Sequence, residues 1–155
     1  MCELSGLEWL YAVTALAFLL LLCVHYAVRR QRMDLIERYG WILYALSLPA
    51  AAVSVILLRA GQPWWAWLGG FLYLVWAAFG YAVEYVLRIR DWRGPIRWPV
   101  FGPYVLLYLA TCMLYWWPLA RLCRPLGYVA GLLFIAGTIL NVRSHGPVEG
   151  TPPAG

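Results

Sequence analysis

Five times in this chain an apolar run approaches the roughly 20 residues that a helix needs to cross about 30 Å of hydrocarbon. The runs are residues 7–28, 39–58, 64–87, 100–117 and 126–142. With 64% of 155 residues hydrophobic and only 12% charged, a water-soluble core of this size has no room for them. The runs are continuously apolar and lack the period-two alternation of barrel strands. Lipid also offers no partner for open backbone amides, so helices are favoured. The expected fold class is an all-α membrane protein, a bundle of five transmembrane helices. One domain covers residues 1–145, and a disordered Pro/Gly-rich tail covers 146–155.

The flanks of the first run argue against a cleaved secretory signal. Glu3 and Glu8 precede it, Arg29, Arg30 and Arg32 follow it, and no small-residue cleavage site comes after. Arginine placement then sets the expected orientation. Alternating the connections puts nine arginines on one face and three on the other, so the positive-inside rule places the N-terminus outside and the C-terminus in the cytoplasm. Trp9, the Trp64, Trp65 and Trp67 cluster and Trp116-Trp117 fall at the outer boundary. Trp41, Trp92 and Trp98 fall at the inner one, as aromatic belts do.

The chain carries twelve arginines and no lysine. Guanidinium groups suit bidentate contact with phosphate, although a G+C-rich coding bias explains the choice more simply. The cytoplasmic connections Arg29 to Arg38 and Arg88 to Trp98 make a candidate lipid headgroup face of Arg29, Arg30, Arg32, Arg88, Arg90, Arg93, Arg97, Trp92 and Trp98. The first of these connections mixes charge with Met33, Leu35 and Ile36, which predicts a short helical turn lying on the membrane surface.

Within the runs, Pro49 predicts a bend in the second helix, and Ser47, Ala51 and Ser54 form a stripe small enough for close packing. In the third, Gly70, Ala77 and Glu84 recur every seven residues and turn Glu84 into protein rather than lipid. The fourth is expected to open at Gly102-Pro103 and close at Trp116-Trp117-Pro118. It carries a hydroxyl stripe of Tyr104, Tyr108, Thr111 and Tyr115. The fifth carries Gly127 and Gly131 on one face and Ala130, Gly137 and Asn141 on its neighbour.

Placed by depth, Glu84, His25, Asn141, Tyr81, Tyr104 and Tyr108 are the candidate ligand or ion residues. An ionisable group at membrane depth is a functional hypothesis by default. Glu84 has two fates: an ion pair with Arg88 at i+4, which is the preferred reading, or a titrating site beside His25 or Asn141. His25 and His145 alone do not make a case for bis-His haem. The motifs HExxH, GxSxG, GxxxxGK[ST] and GxGxxG are missing, so no catalytic residue, metal or cofactor is assigned. Cys2, Cys23, Cys112 and Cys123 show no metal spacing. Cys2 and Cys123 share the outer side, where an oxidising compartment would join them, but the preferred reading is four small apolar residues.

Five helices in a chain of this length, its tryptophan content and Asn141 late in the last helix resemble the translocator-protein family of tryptophan-rich membrane proteins, which bind porphyrins and sterols. The resemblance stops at architecture. Arg29 to Arg38 replaces that family's long Pro/Trp connection, and Gly69 to Leu87 lacks its Asn-Trp pattern, so no residue role is carried over. The expected function is a non-catalytic accessory or structural protein of the bacterial inner membrane. Its expected partners are the bilayer, anionic headgroups, and a membrane protein or second copy, with no nucleic acid. The alternative is a small transporter or hydrophobic-ligand sensor.

Overall fold

In the computed structural model, residues 3–87 and 98–144 are described, and no strand occurs among them. Five helical stretches are long and apolar enough to cross a membrane: Gly6–Gln31, Trp41–Arg59, Trp64–Val86, Trp98–Leu122 and Arg124–Arg143. We number the α-helices α1 (Gly6–Gln31), α2 (Met33–Tyr39), α3 (Trp41–Ala45), α4 (Ser47–Arg59), α5 (Trp64–Tyr81), α6 (Trp98–Leu122) and α7 (Arg124–Ser144). A π-helical turn, Ala82–Val86, extends α5. Going round the bundle, α4 packs on α5, α5 on α6, α6 on α7, and α7 on α1, with α1 closing back onto α4. The residues at 145–155 and 88–97 lie outside the described structure, and with them the expected tail, His145, Trp92 and the arginines at 88, 90, 93 and 97.

The helix ends carry local signals. Ser5 and Glu8 form a reciprocal capping box at the start of α1: the Ser5 N–H donates to Glu8 Oε2 at 2.7 Å, and the Glu8 N–H donates to Ser5 Oγ at 3.4 Å. At the far end of α4, Gly61 adopts φ +68°. The Gln62 N–H reaches the Leu57 carbonyl and the Gly61 N–H that of Leu58, the bond pair of a Schellman stop, and Pro63 prevents the helix from resuming.

Proline shapes two of the spans. The second span is interrupted at Leu46, one turn before Pro49, because a proline cannot donate to the carbonyl four residues back. Ser47 Oγ donates to the Tyr44 carbonyl at 2.6 Å, and the Tyr73 hydroxyl donates to that of Leu43, so donors gather at the interruption. In α6 the expected limits fail. The helix already runs by Trp98, before Gly102-Pro103, and it continues through Pro118 to Leu122. Pro118 leaves the Leu114 carbonyl without its helical N–H, and the Tyr11 hydroxyl of α1 donates to that oxygen at 2.6 Å. An outside donor lets the helix pass its proline.

Small residues set the helix contacts. A Cβ on Gly70 would fall 2.5 Å from the Ala50 carbonyl oxygen and against Ser54 Oγ, so α4 and α5 touch backbone to backbone. The α4 stripe that makes this contact is Ser47, Ala50, Ser54 and Leu57 rather than Ser47, Ala51 and Ser54. Steps of three and four centre the face on Ala50 and rotate Ala51 to its flank. Gly127 abuts Ala120, and Gly131 lies under the Trp116 indole, whose Nε1 donates to the Gly127 carbonyl at 3.1 Å.

Aromatic side chains fill the centre. Trp76, fully buried, is surrounded by Phe18, Tyr44, Tyr73, Tyr104 and Tyr108 with ring centroids 5.6 to 6.3 Å away. The four members of the α6 hydroxyl stripe are all buried. Thr111 Oγ1 donates to its own helix at Leu107, 2.8 Å away, and the Tyr108 and Tyr115 hydroxyls make no hydrogen bond of good geometry. The stripe therefore packs as an aromatic wall and not as a continuous polar track.

The thiols divide into two kinds. Cys23 and Cys112 are free, with Cys23 Sγ donating to the Leu133 carbonyl at 3.2 Å. Cys123 is disulfide-bonded, which corrects the reading of four apolar cysteines; Cys2, the partner expected from the topology, lies outside the described residues.

Two substitutions test this construction. Tyr11→Phe removes the donor that Pro118 makes necessary and is expected to lower unfolding free energy in detergent by about 1 kcal/mol, whereas Tyr115→Phe is close to neutral. Gly70→Ala forces α4 away from α5 and is expected to cost about 2 to 3 kcal/mol in the same unfolding measurement.

Candidate functional site

Along α1 the buried positions Tyr11, Ala15, Phe18, Leu22 and Tyr26 advance by three or four residues, and the next step on that face is Arg29. Its side chain is accordingly turned inward and only 7% exposed. On α5, Tyr73, Trp76, Ala77 and Gly80 continue the inward face into the π-turn, where Val83 and Glu84 are both buried. The wider turn closes with the Leu87 N–H on the Ala82 carbonyl at 2.8 Å, an i to i+5 bond. Single π-turns of this kind recur at functional sites.

These two faces meet. Arg29 Nη1 lies 3.7 Å from Glu84 Oε1, and the Glu84 side chain is 11% exposed. The preferred expectation paired Glu84 with Arg88, which lies outside the described residues. Arg29, expected among the headgroup contacts, is a partner of Glu84 among the described residues. At 3.7 Å the contact is an ion pair but not a hydrogen bond. Among the described residues no hydrogen bond is seen from the Arg29 guanidinium, a group with five donors.

Tyrosines enclose the pair. The Tyr44 ring sits edge-on to Tyr81 and Tyr85 at 6.3 and 6.1 Å, and its hydroxyl lies against Glu84. Tyr26 and Tyr104 also lie within the electrostatic reach of Arg29. Beside the pair is a cleft of about 20 Å³, lined by Arg29, Met33, Ile36, Glu37, Glu84 and Tyr85. That volume holds about one water molecule.

Of the other expected ligand residues, Tyr104 and Tyr108 are buried against Trp76, and Tyr81 is 46% exposed and stacked on Tyr85 at 5.1 Å. His25 is half-buried and edge-on to Tyr26 at 5.4 Å, and Asn141 is half-buried near the end of α7. Neither lines the cleft. Sequence reasoning missed the inward role of Arg29 and the parts played by Tyr26 and Tyr44. The signal for the first was present, since 22, 26 and 29 continue one helical face.

The remaining basic residues near this end point outward. Arg30, Arg32 and Arg38 are exposed, as is Trp98. Arg32 makes a fork to Asp34, with Nε and Nη2 donating at 3.3 and 3.2 Å. That hydrogen bonding holds the Asp34 carboxyl below its ordinary range. Its contribution to folding is therefore present above the usual carboxyl pKa and fades as acid protonates it, and full exposure keeps it small.

The buried pair generates a sharp expectation. Glu84→Gln leaves the Arg29 charge uncompensated and should lower stability by about 3 kcal/mol or more, as should Arg29→Gln. The double change Arg29→Met with Glu84→Leu should recover most of that loss, read as the unfolding midpoint of each variant in the same detergent.

No family model, curated protein or solved structure matches this chain, so what the site does has to be argued from its own geometry.

Proposed function

We propose that this protein is a non-catalytic, multi-pass component of a bacterial inner membrane. In this reading the N-terminus is outside, and the end of the bundle carrying Arg29 and Glu84 faces the cytosol. There the protein associates with anionic headgroups through the connection between the first two spans. The observation that carries the reading is the character of α2. This seven-residue helix has no buried residue. It presents Met33, Leu35 and Tyr39 to the surroundings beside exposed Arg30, Arg32 and Arg38. An apolar and basic surface at the level where a span ends suits the boundary between acyl chains and phosphates.

The alternative, a sensor or transporter of a hydrophobic ligand, gains nothing from the cleft at Glu84. A drug-sized ligand needs a few hundred Å³, and the cleft is water-sized.

Purified protein reconstituted with mixed lipids tests the proposal. Each arginine near a charged surface is worth about 1 kcal/mol, and Arg32 is partly neutralised by Asp34. The combined change of Arg30, Arg32 and Arg38 to Gln should therefore weaken retention of phosphatidylglycerol by about thirtyfold, read by lipid mass spectrometry after gentle extraction. Unchanged retention rejects the anionic-lipid reading. A C-terminal reporter active only outside the cytosol rejects the orientation.

A further inference from the structure

Along its outward side, α6 changes chemistry in order. Leu106, Leu109, Met113, Trp117 and Arg121 follow one another by three or four residues and so share one face of the helix. Leu106 is 70% exposed, Leu109 39% and Met113 43%, while Trp117 is half-buried and Arg121 exposed. Roughly 10 Å of aliphatic surface, at a rise of 1.5 Å per residue, thus leads to an indole and then to a guanidinium.

The charged end of this strip is preorganised. The Arg121 guanidinium carbon lies 4.3 Å over the centre of the Trp117 ring, and the Trp64 ring of α5, 54% exposed, stands 6.4 Å from Trp117. Stacking occupies the face of a guanidinium and leaves the N–H donors in its plane free. Among the described residues Arg121 makes no hydrogen bond and no ion pair, and the same holds for Arg124, exposed at the start of α7. Neither Glu3 nor Glu8, the carboxylates at this end, pairs with them, and Glu8 is held in the Ser5 cap. Arg32, at the opposite end of the bundle, has its fork filled by Asp34.

Aliphatic surface, then an indole, then a fork of free donors matches the order of groups in a phospholipid: acyl chain, glycerol ester, phosphate. Two guanidinium groups without a paired carboxylate favour a lipid of net negative charge, because a headgroup ammonium finds no partner beside them. We propose that this face of α6, flanked by Trp64, seats an anionic phospholipid, with phosphate oxygens on the Arg121 fork and an acyl chain along Met113, Leu109 and Leu106. The site lies at the end of the bundle opposite Arg29 and Glu84. It depends neither on which way the bundle faces nor on the α2 surface.

The test uses the full chain in detergent, with Arg30, Arg32 and Arg38 changed to Gln so that lipid held by α2 does not enter the count. It is titrated with phosphatidylglycerol, phosphatidylcholine of the same acyl chains and soluble glycerol phosphate, and bound molecules are counted by native mass spectrometry. Phosphatidylglycerol should bind about tenfold more tightly than phosphatidylcholine. Arg121→Lys keeps the charge but loses the fork and the planar stack, and should weaken phosphatidylglycerol binding about tenfold with the thermal midpoint unchanged. Trp117→Leu keeps the charge and an apolar surface but removes the platform, and should weaken binding to a similar degree; Arg121→Lys alone decides if Trp117→Leu lowers the midpoint. Equal binding of the two lipids, or an Arg121→Lys protein that binds phosphatidylglycerol as tightly as its parent, overturns the proposal. Glycerol phosphate binding as tightly as the lipid overturns the assignment to a lipid.

Discussion

In hydrocarbon a backbone carbonyl that loses its helical partner has no water to turn to, and this constraint organises much of the bundle. Pro118 creates such a carbonyl inside the fourth span, and a hydroxyl meets it. Tyr11 reaches across from α1 to Leu114, four residues before Pro118. At the interruption before Pro49, Ser47 closes onto Tyr44 within its own segment, and Tyr73 reaches from α5 to Leu43. These bonds tie α1 to α6 and α5 to α3, so relief of a local defect also fixes which helices are neighbours. The threonines behave in the same way on a smaller scale: Thr14, Thr111 and Thr138 each donate to the carbonyl four residues back. They add no demand for a partner elsewhere.

Once polar groups are settled in this way, shape decides the rest. Lipid tails are as apolar as leucine, so helices gain little from hiding aliphatic side chains and more from close fit and from aromatic contact. Hence the glycines at 70, 80, 127 and 131 sit where a Cβ would collide with a neighbour, and the rings of Phe18, Tyr73, Trp76 and Tyr115 interlock between them. The last helix shows the complementary case. Tyr128, Leu132 and Val142 are about 70% exposed, and the buried positions of α7 are its small residues Gly127, Ala130 and Gly137. At the other end of α6, Arg121 lies over the Trp117 ring at 4.3 Å, and Trp117 lies beside Trp64 at 6.4 Å. A cation held on exposed aromatic faces suits a boundary between apolar and aqueous media.

How much of this could be read in advance depended on the range of the interaction. The five apolar helices were legible because length and hydropathy sum over twenty residues. The inward face of α5 was legible because Gly70, Ala77 and Glu84 repeat at a helical period. The limits of α6 were not, since Pro103 and Pro118 carry stop signals that a local reading has to accept. Only the tertiary donor at Tyr11 shows why Pro118 does not end the helix. The π-turn at Ala82–Val86 was also invisible, because an i to i+5 bond leaves no mark in composition. Arg29 was not anticipated beside Glu84 for a related reason. It arrives from a span more than fifty residues away and is identified only when its helix is phased by Leu22 and Tyr26.

The position of the Arg29–Glu84 pair then acquires a physical explanation. A buried pair of this kind is weak support for stability by itself, because desolvating both charges cancels most of their attraction. Pure structural economy would have filled the space with leucine and phenylalanine, which the chain uses freely a turn away. The pair also sits at 3.7 Å, too long for the bidentate fork that arginine readily makes, although Arg32 and Asp34 make that fork in full solvent a few residues on. The guanidinium forgoes that fork with its counter-ion and borders a cleft of one water's volume. The tyrosines at 26, 44 and 104 lie within electrostatic reach of the pair.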